Sequence, residues 1–164
     1  MKFYCLLFFF IPATMSAQDC ALKKTKDPYT KEVKISTGFI QLQGASVSIE
    51  ATKSEIDFLF SLGPNKCFDD GSTAAITYEG SRTKTNLKNG GTMNCDGLFH
   101  FNFRNVTMTP YALQNLAQKK ISAIRFKDNS KTETEVTVTP EQQKQLMDLT
   151  MCIINESKTL IPQQ

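Results

Sequence analysis

Five cysteines and a single histidine are the residues of this chain best suited to covalent or acid–base chemistry. Cys5 lies in an apolar leader, so removing that leader leaves an even set of Cys20, Cys67, Cys95 and Cys152. In an exported chain such a set reads as two disulfides rather than as nucleophiles. Zinc is the competing use of four thiolates. Structural zinc sites gather their ligands in pairs about two to four residues apart, and these cysteines are spread along most of the sequence. A catalytic cysteine would leave its partners without a role. Four cysteines allow three pairings. Cys67 and Cys95, each near an acidic turn residue at the end of a neighbouring strand, are placed to close a strand pair. Cys20 would then tie the start of the mature chain to the last helix through Cys152. On a chain-entropy account, the shorter loop stabilises by about 3.6 kcal/mol and the longer by about 5 kcal/mol.

Any histidine-based chemistry must use His100. It shares the polar face of a strand with Asn102 and Arg104. These three are the candidate binding patch, and His100 could act as a base beside a serine or carboxylate from another strand. No Gly-x-Ser-x-Gly elbow accompanies it. Asp69 and Asp70 precede Gly71, and Asp96 follows Cys95. A bond from Cys67 to Cys95 would bring these carboxylates to one end of the sheet, as calcium ligands or as hydrolase carboxylates. The spacing of an EF-hand loop is absent, and turn formation is the plainer role of such aspartates. No nucleotide loop and no metal-binding spacing occurs, so no cofactor is expected.

The elements that must hold these residues are legible as periodicity. Residues 1–17 form a secretory signal: Lys2 gives the positive start, an apolar run reaches Pro12, and Thr14, Ser16 and Ala17 supply small residues for cleavage. The run is too short to span a bilayer, which takes about 20 residues. Residues 18–164 are read as a single secreted domain without a membrane span. The whole chain carries a formal charge of +3, with its bases scattered. Lys23, Lys24 and Lys26 form the densest run, without interleaved aromatics, and read as a solvated basic end. That argues against a nucleic-acid partner.

Apolar residues then alternate through Val33–Leu42, Val47–Ala51, Ile56–Leu62 and Ala74–Tyr78, between turn signals, and a further short strand is read over Arg82–Leu87, ending at the Asn89-Gly90-Gly91 turn. Leu98–Arg104 is the clearest strand, with Phe99, Phe101 and Phe103 on one face. Thr109–Pro110 and Thr139–Pro140 each place a capping hydroxyl before a proline at the first helical position. Gln142 completes a capping box at the second. Helices are therefore predicted over about 110–120 and 140–155, the first ending in Lys119 and Lys120. Two short strands, Ile121–Lys127 and Glu133–Val138, lie between them. The fold class is α+β: a largely antiparallel sheet, built as a meander, with two helices packed on one face and two disulfides. Asn105-Val106-Thr107 and Asn155-Glu156-Ser157 fit the N-glycosylation sequon, which matters only in a eukaryotic host.

An early cysteine at Cys20, the turn Asp27-Pro28-Tyr29-Thr30, a run of strands and a last helix carrying Cys152 together resemble a group of small exported proteins of Gram-negative bacteria. The resemblance spans most of the mature chain. It implies location in the periplasm or at the cell exterior and favours joining the terminal cysteines. It implies no activity and contributes no catalytic residue. The functional expectation is a non-enzymatic extracytoplasmic module recognising a protein or a cell-envelope component. The alternatives are a secreted hydrolase using the strand-end carboxylates, or a small inhibitor of a secreted enzyme.

Overall fold

The computed structural model describes residues 20–162. The signal and its cleavage point lie outside the described residues. Nine strands and two helices follow in order: β1 (Lys23–Lys26), β2 (Val33–Leu42), β3 (Ala45–Ala51), β4 (Glu55–Ser61), β5 (Thr73–Tyr78), β6 (Lys84–Lys88), β7 (Leu98–Arg104), α1 (Tyr111–Gln118), β8 (Ile121–Lys127), β9 (Glu133–Thr137) and α2 (Pro140–Ser157). A short 3-10 turn, Lys158–Leu160, follows α2.

The strand content is antiparallel and the class is α+β, as the periodicity implies, but the strands divide between two sheets. One has the order β1-β2-β3-β4-β7 and the other β6-β5-β8-β9. β1 to β4 form the meander. The chain then leaves the first sheet, lays down β5 and β6, and returns to place β7 against β4. Both sheets turn apolar residues toward a shared core. Phe126 of β8 stacks into the aromatic group of the larger sheet, with its ring centroid 5.3 Å from Phe60 and 5.1 Å from Phe99. Phe60 and Phe101 stand 4.8 Å apart across β4 and β7. Helix α2 packs across β2, β3 and β4, and α1 packs on α2. Leu113, Leu116, Leu146 and Ile153 are buried as their helical spacing requires.

Both disulfides form in the expected pairing, Cys20 with Cys152 and Cys67 with Cys95. The second helix carries its capping box. Thr139 N–H donates to Gln142 Oε1 at 2.9 Å, and Thr139 Oγ1 accepts from Gln142 N–H. It runs to Ser157, slightly beyond the predicted end.

Three local expectations change. The basic run Lys23–Lys26 is solvent-exposed but is also a strand, because its backbone pairs with Val33–Ser36 of β2. The first helix starts at Tyr111 with Pro110 in the cap position and no side-chain cap; Thr109 instead offers its carbonyl to Gln114 Nε2 at 2.8 Å. That helix also stops at Gln118. Lys119 is already extended, since β8 begins at Ile121, and its ammonium sits 5.5 Å from the Tyr78 ring centroid instead of on the helix end.

Candidate functional site

Because β4 and β7 are neighbours, the polar positions of both strands share the solvent-facing side of the larger sheet. Register sets them in rows. His100 stands opposite Leu59, Asn102 opposite Asp57 and Arg104 opposite Glu55. The rows continue through β3, where Ser48 adjoins Leu59 and Glu50 adjoins Asp57, and into β2, where Phe39 adjoins Ser48 and Ser36 adjoins Glu50. The proposed patch of His100, Asn102 and Arg104 is thus one edge of a larger polar face. That face includes an exposed aromatic ring at Phe39 and the ion pair of Lys34 Nζ with Glu50 Oε2 at 2.8 Å.

The contact that organises this face is diagonal across the two strands. His100 Nδ1 lies 2.8 Å from Asp57 Oδ2, with the side chains 25% and 21% exposed. The carboxylate can only accept, so the proton between them belongs to Nδ1. The Asp57 hydrogen bond raises the His100 pKa above its ordinary value; partial desolvation opposes this, and the charges of Asp57 and Glu55 reinforce it. Asp57 Oδ1 is buried and has no hydrogen-bond partner among the described residues. No hydrogen bond engages Nε2 among the described residues. The pair therefore has an anchored nitrogen and an available one, the arrangement that lets a histidine donate or accept a proton or bind a polar ligand in one fixed orientation.

The second organising feature is the turn Asn89-Gly90-Gly91, which lies against this side of β7. His100 N–H donates to Asn89 Oδ1 at 2.9 Å, and Gly90 N–H donates to His100 O at 3.0 Å. Asn89 also donates from Nδ2 to Asp69 O at 3.1 Å. Glycine is required by proximity. A Cβ at position 91 would stand 2.5 Å from His100 Cδ2, and one at position 90 would stand 2.8 Å from Asn102 Cγ. Asn102 Nδ2 reaches Gly90 O at 3.4 Å. The turn thus ties the His100 backbone and crowds the ring at Cδ2, while Asp57 holds Nδ1.

The strand-end carboxylates form no metal-holding group among the described residues. Asp69 Oδ1 is engaged within its own turn, accepting from Gly71 N–H at 3.0 Å and from Ser72 Oγ at 2.9 Å. The Cys67–Cys95 bond does align the neighbouring segments, but it sets Asp96 beside Lys66 and Asn94 beside Phe68. Asp70 and Asp96 are exposed. Among the described residues, no group of three or more His, Cys, Asp or Glu side chains is placed to hold a metal ion. No helix among them is long and apolar enough to cross a membrane. The Asn105 sequon is closed off in the folded chain, since its amide is buried and hydrogen-bonded to Thr52 O and Ser157 O.

Asp57 was visible as a polar residue on β4 but not as the partner of His100, because β5 and β6 intervene between the two strands in sequence. The only signal was that both residues occupy polar positions of strongly alternating strands. Comparisons with models of known protein families, with curated proteins and with solved structures give no match.

Proposed function

We propose that the protein is a non-enzymatic extracytoplasmic binding module. Its working surface is the solvent-facing side of the five-stranded sheet around His100, Asn102 and Arg104, and its ligand is a protein or an envelope component. The observation that carries this reading is the His100–Asp57 pair, held in one orientation by a strand diagonal and by the Asn89–Gly91 turn. Binding favours side chains fixed before the ligand arrives, because less conformational freedom is then lost. The face also balances its charges locally, with Lys34 against Glu50, His100 against Asp57 and Arg104 across from Glu55. That balance suits a polar ligand of mixed character better than a polyanion. The two disulfides support an oxidising compartment.

The test is amide NMR on the disulfide-bonded chain, titrated separately with soluble murein fragments, anionic lipid vesicles and solubilised envelope protein. Shift changes concentrated on β4 and β7 around His100, and lost in His100→Ala, are the expected result. Turnover of ester, peptide or glycoside substrates that His100→Ala abolishes would replace the binding reading with a catalytic one.

One observation favours the inhibitor reading. Tyr29 is 91% exposed at the tip of a turn that Asp27 Oδ1 holds by accepting from Tyr29 N–H at 2.8 Å and Thr30 N–H at 2.7 Å. Those hydrogen bonds lower the Asp27 pKa. A rigid loop with a projecting aromatic suits an enzyme cleft. Inhibition of a secreted peptidase that Tyr29→Ala removes and His100→Ala leaves intact would select that reading.

A further inference from the structure

The outer strands of the two sheets are finished differently. The first half of β7 is capped on its free side. Leu98 N–H donates to Asn94 Oδ1 at 3.0 Å and Asn94 Nδ2 donates back to Leu98 O at 2.9 Å, while Asn89 and Gly90 serve the N–H and carbonyl of His100. At the other end of that sheet, β1 presents Lys23, Lys24 and Lys26, with every side chain exposed. Lysines on both faces of a short edge strand discourage another strand from pairing with it.

The smaller sheet ends in β6 and β9, and its backbone phase can be followed from the bonds just beyond them. Asn89 N–H donates to Ser72 O at 2.9 Å, which points Leu87 and Thr85 toward β5 and turns the backbone groups of Lys84, Asn86 and Lys88 outward. Val138 N–H donates to Ser122 O at 3.1 Å, which points Val136 and Thr134 toward β8 and turns those of Glu133, Glu135 and Thr137 outward. The outward-facing residues of both edges carry their side chains on the same side of the sheet. The register shows this directly: Lys88, Thr73, Lys127 and Glu133 form one row, and Asn86, Ala75, Arg125 and Glu135 the next.

Every neighbouring pair in this four-stranded sheet is antiparallel, so β6 and β9 run in opposite directions. A second copy displaced across the strands and turned by the sheet twist therefore brings its β6 alongside β9 in antiparallel sense, with matching faces and matching hydrogen-bond phase. Charge agrees with polarity. Lys84 and Lys88 are exposed on one edge, and Glu133 and Glu135 are exposed on the other. Arg125 already draws both glutamates together, with Nη2 2.6 Å from Glu135 Oε2 and Nε 3.7 Å from Glu133 Oε2. A lysine arriving from β6 would join that cluster. Two-fold pairing of β6 with β6 would oppose lysines, and of β9 with β9 would oppose glutamates, both unfavourable. Thr137 is engaged by Gln43 at 2.5 Å, so the open stretch of β9 is its Glu133–Glu135 end.

We propose that this chain associates with itself head to tail, the β9 edge of one copy adding to the β6 edge of the next in a continuous antiparallel sheet. The contact is heterologous, so assemblies grow beyond a dimer, without a fixed size wherever the rotation between copies closes no ring. It is also short, which makes it a weak association, favoured by crowding on a surface and by low salt.

Sedimentation velocity on the disulfide-bonded chain tests this, over about 10 μM to about 1 mM in low salt, the range that weak contacts require. The expected result is a weight-average sedimentation coefficient that rises with concentration and falls back as salt is added. Reversing the acidic edge (Glu133→Lys with Glu135→Lys), or the basic edge (Lys84→Glu with Lys88→Glu), should each leave a monomer. Mixing the two reversed proteins should restore growth, because each then offers the edge the other lacks; recovery on mixing also shows that both variants are folded. A wild-type protein that stays monomeric throughout overturns the proposal and leaves these edges to a foreign strand. So does a closed dimer of fixed size, or association that survives both reversals.

Discussion

Replacing Asn105 with alanine should remove a large share of the stability of this protein, although the residue touches no candidate ligand. It follows β7 directly and reaches both the larger sheet and the end of α2. Its Nδ2 donates to Thr52 O at 2.8 Å and to Ser157 O at 2.9 Å, and its Oδ1 accepts from Ser157 Oγ at 3.2 Å. Asn105 is 6% exposed and Ser157 0% exposed, so water cannot replace the contact at Ser157 O, while Thr52 is half-buried. Two carbonyls lose a partner, each at about 1–3 kcal/mol. Ser157 Oγ keeps its second acceptor, Ile154 O at 3.1 Å, and adds little. The expected loss is therefore about 2–6 kcal/mol, against a typical total of about 5–15 kcal/mol.

Urea unfolding of the oxidised protein measures this loss. With a slope of about 2 kcal/mol/M, the midpoint should fall by about 1–3 M and the slope should stay unchanged. Ser157→Ala should cost about 1–3 kcal/mol, since it leaves the buried Asn105 Oδ1 without its partner while the two carbonyl contacts stay in place. Asn105→Asp keeps the shape and an acceptor but loses both donors, and should be at least as damaging as Asn105→Ala. An Asn105→Ala protein that loses less than about 1 kcal/mol at constant slope would refute the reasoning, because the helix end would then not depend on this amide.

Further outcomes follow from the site and the staples. The raised His100 pKa means that the folded state holds this proton more tightly than the unfolded chain. The resulting stability is fully present below the unfolded value of about 6.5 and is lost as pH rises through the folded value. An NMR titration of the His100 ring should show a midpoint above 6.5 that drops in Asp57→Asn; an unchanged midpoint would show that the carboxylate does not hold the proton. Gly91→Ala sets a methyl group 2.5 Å from His100 Cδ2, so it should displace the ring, lower its titration midpoint and cost about 1–3 kcal/mol in a denaturant melt. Removing the Cys67–Cys95 bridge with paired serines should cost about 3.6 kcal/mol, and removing Cys20–Cys152 about 5 kcal/mol, on the chain-entropy account. Guanidinium unfolding of each variant checks both values, and a larger loss from the shorter loop would point to native-state packing instead.

Some of the site was readable in the residues and some was not. His100, Asn102 and Arg104 were assigned to one polar strand face because Leu98–Arg104 alternates without interruption, and side-chain direction in a strand follows from that alternation alone. Asp57, a polar position within the alternating run Ile56–Leu62, falls on the polar side of its own strand for the same reason. What could not be read was that these two faces are one face. The Asn89–Gly91 turn was recognisable as a turn, but the need for its glycines arises from the ring beneath them, which local composition does not reveal.

The sequence by itself determined the elements: the alternating strands, the capping box at Thr139, the even set of cysteines after the leader, and the α+β class. These depend on interactions over a few residues, or on counting. Only the tertiary structure decided that the strands divide into two sheets, that Lys23–Lys26 pairs as a fifth strand, that the first helix stops short of its lysines, and that Asp57 meets His100. The physical reason is range. Periodicity fixes which way each side chain points from its own strand, but strand pairing is settled by burying Phe60, Phe99, Phe101 and Phe126 in a single core. That burial places β7 beside β4 across an intervening sheet, and with it the histidine beside its carboxylate.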